Sequence, residues 1–332
     1  MKLPKIFIGP MSKNVVDTVI QLNKSIPIAL IPSRRQIEAN RGYVNNWDTL
    51  NFRNYVKSAN PNVLICRDHA GPGQGTYDSS LSLKADCLCF DMVHIDPFKM
   101  YQNMEDAATK TILLIQECYQ KNPQLQYEIG TEEAIFKYEP TELDKFIQTI
   151  QKILKPEEFK QIKYAVVQSG TGLDLPNCKN TGTFNAARLK EFIQVVHKYN
   201  LLSKEHNGDY LIMDGGIHTR FNDCGLDAIN IAPEFGQLET KVILDYLKSY
   251  DRKDLIDKWY DICLASDKWQ KWAEGRTLTQ TQVIMTAGHY TFSDIEFKKI
   301  KYQFPEIDII IKSVIKDRIN GITAQAEKNY SN

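Results

Sequence analysis

An alternation runs through this chain of 332 residues and limits what it can fold into. Short apolar runs, each closed by glycine, proline or a polar residue, are followed by segments with apolar residues at helical spacing. An apolar run bounded by turn residues suits a strand buried on both faces, as in a parallel sheet. Eight such runs can be read: Ile6 to Ile8, Ile26 to Ile31, Val63 to Cys66, Met92 to Ile95, Tyr127 to Ile129, Tyr164 to Val167, Leu201-Leu202 and Ala228 to Ile231. Between them, helix faces are marked by Val15, Val16, Val19 and Ile20, by Ala107, Ala108, Ile112 and Ile115, and by Leu189, Phe192, Ile193 and Val196. Thr141 reads as the N-cap of a helix presenting Leu143, Phe146, Ile147 and Ile150. Eight strands separated by helices is the count of an α/β (β/α)8 TIM barrel. A doubly wound open sheet is the rival, because alternation alone does not distinguish closure from an open edge. No Gly-x-Gly-x-x-Gly follows the first run, which weakens its dinucleotide-binding form.

One unit breaks the rhythm: residues 214–225 are too rich in glycine and polar residues to read as a regular helix. Beyond Tyr250 the pattern is helical only. The expected organisation is a barrel over 1–250 with a helical extension, 251–332, packed on it.

Composition narrows the function classes. Lysine plus arginine (41) equals aspartate plus glutamate (41), so no global field points to nucleic acid or anionic membranes. No apolar stretch approaches the length of a membrane span. The N-terminal residues, with Pro4 among them, form no signal-peptide apolar region. Seven cysteines without a repeated spacing read as reduced thiols, and a cytoplasmic location is expected.

In a parallel barrel the C-terminal strand ends share one face, where loops bring distant residues together. Collected from the eight runs, those ends carry Ser33, Arg34, Arg35 and Gln36, then Asp68 and His69, then Asp96. Glu128, Glu132 and Glu133 follow, then Gln168 and Ser169, then Glu205 and His206, and last Glu234. This is an acidic, histidine-bearing set with one basic corner. Imidazoles and carboxylates together suit a divalent metal, with zinc favoured by nitrogen donors and Mn²⁺ or Mg²⁺ by oxygens. His69 and His206 are the best ligand candidates, and Asp68 is the candidate general base. Arg34 and Arg35 are candidates for a substrate phosphate or carboxylate, although a plain surface pair reads almost as well. His94 shares a strand face with Asp96 and is a weaker candidate. His197, His218 and His289 read as structural or solvated.

Read together, several motifs are similar to a known family. Ser33 to Tyr43 with Gly42-Tyr43, Asp68-His69-x-Gly-Pro72, and His94-Ile95-Asp96 come first. Tyr127-Glu128-Ile129-Gly130-Thr131-Glu132, Val166-Val167-Gln168-Ser169-Gly170, Glu205-His206-x-x-Asp209-Tyr210 and Tyr290-x-x-Ser293-Asp294 continue in order. The set resembles the non-catalytic subunit family of class II D-tagatose-1,6-bisphosphate aldolase, related to metal-dependent aldolases and sugar 4-epimerases. The resemblance implies a TIM barrel, with Asp68 as base, His69 as first zinc ligand and His206 as a later one. Gln168 falls where the aldolases carry another histidine, so either Glu128 or Glu132 completes the shell or the metal is absent; Glu128 is the expected third ligand. Glu132 and Asp96 join Asp68 as expected catalytic carboxylates. Ser33, Arg34, Arg35, Gln36, Gln168, Ser169 and Glu234 are the expected substrate contacts. A carboxylate at Glu234 would repel phosphate, which argues against tagatose-1,6-bisphosphate itself.

Two functions from different classes follow. One is a metal-dependent aldolase or epimerase acting on a ketose, a ketose phosphate or a related sugar acid. The other is a non-catalytic partner that stabilises an aldolase catalytic subunit, with Trp259, Trp269 and Trp272 as its interface. Burial of those tryptophans in the protein's own core is the plainer reading. A homo-oligomer is compatible with either.

Overall fold

The computed structural model describes residues 3–23, 27–75 and 80–327; the expected strand start at Ile26 lies outside them. Eight parallel strands order as β2-β1-β10-β9-β6-β5-β4-β3. In chain order these are β1 (Ile6–Ile8), β2 (Ile28–Leu30), β3 (Cys66–Ala70), β4 (Met92–Ile95), β5 (Gln126–Ile129) and β6 (Ile162–Val167), then β9 (Leu202–Glu205) and β10 (Ala228–Ile231). An antiparallel hairpin, β7 (Thr171–Asp174) and β8 (Lys179–Gly182), is inserted after β6. The two ends of the sheet meet. Leu30 bridges Ile65 and Ser33 bridges Asp68, both in parallel sense. The Leu30 N–H donates to Leu64 (2.9 Å) and the Asp68 N–H to Pro32 (3.0 Å). The sheet is therefore a closed (β/α)8 barrel without the free edges that the open-sheet alternative would leave.

Period-two alternation sends every second strand residue inward. Phe7, Ala29, Leu64, Cys66, Met92, Tyr164 and Ala228 fill the apolar interior. One charged pair crosses it: Lys204 Nζ lies 2.6 Å from Glu128, with both side chains fully buried. Its ammonium also sits 3.4 Å from the centre of the Phe7 ring, a favourable cation–π geometry. The opposite parity faces the helices. Arg67 points outward to Asp86 (2.7 Å) and lies over the Phe90 ring.

Side-chain caps fix several helix starts. Ser12, Asn103 and Asn185 each accept a backbone N–H of the first turn of their helices, Lys13–Leu22, Met104–Lys121 and Ala186–Lys198. Thr141 is not a cap. That helix is Pro140–Ile153, with Glu139 at the N-cap and Glu142 accepting the Glu139 N–H. Proline fits the first helical position because its missing N–H is unsatisfied there anyway. Two further helices, Thr49–Ala59 and Ser80–Cys89, precede β3 and β4, the first burying Phe52 and Val56. The 214–225 stretch is helical after all, in two short turns, Gly216–His218 and Thr219–Cys224. Gly215 and Gly225 bracket them at φ +73° and +86°, where a side chain would be strained.

After residue 250 come Lys253–Ala265, Gln270–Ala273, Gln280–Thr291, Ile295–Lys301 and Ile307–Ala326. The last is tied to the first barrel helix by Asn14–Asp308 (2.7 Å) and Lys312–Asp17 (2.7 Å). Trp259 is fully buried and donates to Thr291 (3.0 Å), so it belongs to the core. Trp269 is half-buried. No helix among the described residues is long and apolar enough to cross a membrane, and all seven cysteines are free.

Helix Gln280–Thr291 packs closely on Pro233–Ser249, the helix after β10. A Cβ at Gly288 would come within 2.8 Å of Thr240 and 2.9 Å of Trp259. Gly288→Ala should therefore destabilise the protein by about 1–3 kcal/mol through overpacking. Urea denaturation measures this, and a wild-type midpoint would contradict the packing.

Candidate functional site

The site begins with a bulge. From Arg67 to Ala70 strand β3 advances three residues, while its partner β4 advances only from Val93 to Ile95. His69 takes up the extra residue in a left-handed conformation at φ +48°, which is rare outside glycine. In a regular strand Asp68 and His69 would face opposite sides. The bulge turns both toward the barrel mouth.

Two further histidines meet them. His94 occupies the second inward position of β4, after Met92, and His206 follows β9, two residues after Lys204. The three imidazole rings form a triangle, with centroids 4.9, 4.9 and 5.4 Å apart. Asp68 Oδ1 lies 3.5 Å from His69 Nε2, 3.7 Å from His94 Nδ1 and 3.8 Å from His206 Nδ1. One donor atom from each of Asp68, His69, His94 and His206 falls within 4.8 Å of the others. Glu132 Oε2 stands beside the cluster, 3.7 Å from His206 Nδ1 and 3.9 Å from His69 Nε2.

Each imidazole is oriented from behind. His69 Nδ1 lies 2.6 Å from Asp96 Oδ2. His206 Nε2 lies 2.8 Å from Glu128 Oε1, and His94 Nε2 lies 2.9 Å from the Gly130 carbonyl. These acceptors assign the proton to the rear nitrogen of each ring and leave the forward nitrogen to the cluster. Asp96 is itself held by the Thr131 hydroxyl (3.0 Å) and the Phe98 N–H (3.1 Å), and Glu128 by Lys204. Such orienting acceptors are the usual companions of metal-ligating histidines. The His69 backbone N–H also approaches His94 Nδ1 at 3.3 Å, a long contact that makes His94 the one ring with a protein competitor.

The electrostatics agree. Burial opposes ionisation of Asp68, but the charges of His69, His206 and His94 outweigh it and hold the carboxyl well below its usual range. Burial likewise opposes protonation of the rings. Asp68 and Asp96 nevertheless raise His69 to about 10, and Glu128 and Glu132 raise His206 to about 9. Asp68 Oδ1 is buried and has no hydrogen-bond partner, which is costly unless a cation or donor meets it. Three forward nitrogens and an orphaned carboxylate oxygen fit a divalent metal.

The cluster lies at the base of a cavity of about 530 Å³, a size suited to a small metabolite. Ser33, Arg34, Arg35 and Gln36 line it as expected, together with Asp68, His69, Glu132 and His206. Arg34 is paired with Glu38 at 3.1 Å. The remaining expected residues stand elsewhere. Glu128 and Asp96 lie behind His206 and His69, and His94 rather than Glu128 stands with those two rings in the cluster. Asp96 likewise serves the ring in front of it and does not face the cavity. Gln168 is turned away, donating to the Thr131 and Phe136 carbonyls. Ser169 donates to Glu205. Glu234 is buried, paired with Arg318 and accepting the Tyr210 N–H. The expected repulsion of phosphate by Glu234 therefore does not arise.

Other lining residues carried little or no signal in the sequence. Asp209 accepts the Ala232 and Glu234 N–H groups (3.0 and 2.8 Å), and burial and Glu234 push its carboxyl up to about 8. Its place beside His206 in a shared motif was the available hint. Gly42-Tyr43 and Tyr290-x-x-Ser293, far apart in sequence, meet here: Ser293 donates to the Tyr43 carbonyl (2.6 Å), and the two tyrosine rings are 4.8 Å apart.

No protein-family model and no curated protein matches the sequence. Solved structures do match its fold. The YdjI aldolase from Escherichia coli K12 superposes with a TM-score of 0.58 at 10% identity, covering 99% of this chain and 93% of that one. Native fructuronate-tagaturonate epimerase UxaE from Cohnella laeviribosi gives 0.64 at 10%, covering 98% and 81%. A fructose-bisphosphate aldolase from Campylobacter jejuni gives 0.54 at 12%, covering 93% and 91%. The fold is aldolase- and epimerase-like. Identities this low establish architecture and leave activity to the site itself.

The geometry predicts zinc binding at one site per chain. Glu128→Gln should weaken it by about 10–100-fold by releasing His206, and His94→Ala should weaken it further. Because the metal-free rings of His69 and His206 titrate near 10 and 9, zinc must displace their protons at neutral pH. Apparent affinity should therefore rise as pH increases toward about 9. Competition with a chromophoric chelator measures both effects. Wild-type affinity in His94→Ala, or an affinity that falls with rising pH, would contradict the assignment.

Proposed function

We propose that the chain is a metal-dependent enzyme of sugar metabolism that cleaves or epimerises a ketose, a ketose phosphate or a related sugar acid. The observation that carries this reading is Asp68: an ionised, half-buried carboxylate whose Oδ1 is buried and unpartnered, ringed by three oriented imidazoles at the base of a small-molecule cavity. The fold shared with aldolases and a sugar-acid epimerase supports it, as does the resemblance of the motifs to the tagatose-bisphosphate aldolase subunit family.

His69, His94 and His206 would hold the ion, with Asp68 beside them. A divalent metal there supplies Lewis-acid polarisation of a substrate carbonyl. Asp68, kept ionised by the surrounding positive charge, takes a proton from a substrate hydroxyl or carbon and can return it. Glu132 offers a second carboxylate on the cavity side of the same cluster. Two such groups suit either outcome. Retro-aldol cleavage removes the proton of the β-hydroxyl as the Cα–Cβ bond breaks, releasing an aldehyde and an enediolate whose carbon then receives a proton. Epimerisation can follow if the fragments rejoin on the other face. Asp96 and Glu128 keep His69 and His206 in the tautomers that present their forward nitrogens, and the buried Lys204 keeps Glu128 ionised. Binding at the cavity wall orients the sugar, with Arg35 and Gln36 at hand.

The test is turnover by zinc-loaded protein on a panel of D-fructuronate, D-tagaturonate, D-fructose 1,6-bisphosphate and D-tagatose 1,6-bisphosphate. Asp68→Asn should retain zinc and lower kcat by about 10²–10⁴-fold. Turnover of none of the four, or full activity in Asp68→Asn, would sink the proposal. The second reading, a non-catalytic partner of an aldolase subunit, rests on the motif resemblance. It predicts that Asp68→Asn stabilises that subunit as well as wild type does.

A further inference from the structure

His289 is 1% exposed, lines the cavity, and has no partner on either ring nitrogen. Its position is fixed by packing. A Cβ on Gly236 would fall 2.9 Å from the His289 side chain, and the Tyr290 ring lies 4.0 Å away. Burial, together with the nearby Lys271 charge, lowers the imidazole to about 3. The neutral ring thus offers one donor and one acceptor, the complement of a hydroxyl group. On the same cavity Asn230 is 6% exposed and its Oδ1 has no partner. Two buried polar side chains left unsatisfied in one cavity are expensive unless a ligand completes them.

The rim above them is cationic. Arg35, Lys99 and Lys271 line the cavity, and none forms an ion pair among the described residues. Burial and the charges of Arg35, Lys268 and Lys99, only partly offset by Glu132, lower Lys271 to about 8.

We propose that this end of the cavity is a recognition subsite built jointly by the barrel and the C-terminal helices. In it His289 and Asn230 hydrogen-bond hydroxyls of a polyhydroxy chain, and Arg35, Lys99 and Lys271 receive its anionic terminus, a carboxylate or a phosphate. The inference rests on the sugar-enzyme reading, because it takes the Asp68 end of the cavity as the place of reaction. The subsite makes the extension beyond the barrel part of the binding machinery and the source of substrate choice.

Calorimetry on the zinc-loaded full chain tests it with D-tagaturonate, D-fructose 6-phosphate and neutral D-fructose. At least one of the two anionic sugars should bind about tenfold or more tightly than D-fructose, and which one does so distinguishes carboxylate from phosphate. Arg35→Ala combined with Lys271→Ala should abolish that preference. His289→Phe, which keeps the ring but loses both polar atoms, should weaken every sugar that binds by about tenfold with zinc content unchanged. His289→Gln, which retains a donor and an acceptor, should restore binding and guards against a folding artefact. Equal binding of charged and neutral sugars, wild-type affinity in these variants, or no binding at all would overturn the subsite. Turnover that depends on Asp68 while KM ignores His289 and the rim would leave the enzyme reading standing and the subsite refuted. Binding with the predicted dependence but no turnover would do the reverse.

Discussion

Strand β3 has to close the barrel against β2 and, within the same few residues, present two consecutive polar side chains to one point. Its pairing with β2 consists of two bridges, at Leu30–Ile65 and Ser33–Asp68. The second of these involves the very residue whose carboxylate the three imidazoles surround. An unbroken strand would satisfy closure and send His69 to the helix layer. The bulge at φ +48° keeps closure and brings His69 inward, at the cost of a strained non-glycine backbone. Such strain persists only where surrounding contacts hold it, and here His69 Nδ1 is clamped on Asp96 from behind.

Charge balance governs the rest of the site. Asp68, Asp96, Glu128 and Glu132 gather around three imidazoles, and the buried ammonium nearest them is Lys204, bound to Glu128. A surplus of negative charge in a buried region demands positive charge. It explains why His69 and His206 rise despite burial, and why a divalent ion is a suitable occupant. The layers have separate tasks: Glu128 and Asp96 never reach the cavity, yet they fix the direction in which His206 and His69 face. The same physics keeps Lys204 inside the barrel, where the Phe7 ring and Glu128 together replace its water.

The helices beyond residue 250 contribute more than cover. The close approach at Gly236 and Gly288 lets Gln280–Thr291 lie deep enough for His289 to reach the cavity. A barrel mouth of strand-end loops alone would be open there. With Lys271, Trp272, His289 and Tyr290 in place, these helices line the same cavity as Asp68, His69 and His206.

By itself the sequence determined eight doubly buried strands alternating with helices, because double burial of parallel strands writes an apolar run that period and length reveal. Closure into a barrel was decided by the bridges between β2 and β3. It also determined Asp68, His69 and His206 as a group, because polar residues at the ends of such runs must share one face. The tertiary structure decided which strand-end residues point inward. Gln168, Ser169 and Glu234 stand at the right ends but are turned to the Thr131 and Phe136 carbonyls, Glu205 and Arg318. His94, rated below Glu128 in the sequence, completes the cluster because strand parity and the Gly130 carbonyl aim its Nδ1 at Asp68. His289 belongs to a helix more than two hundred residues from Asp68 in sequence, and no local pattern could assign it to the cavity. Periodicity is a local property of the chain, whereas side-chain direction at a strand end depends on bulges, twist and the partner that packing supplies.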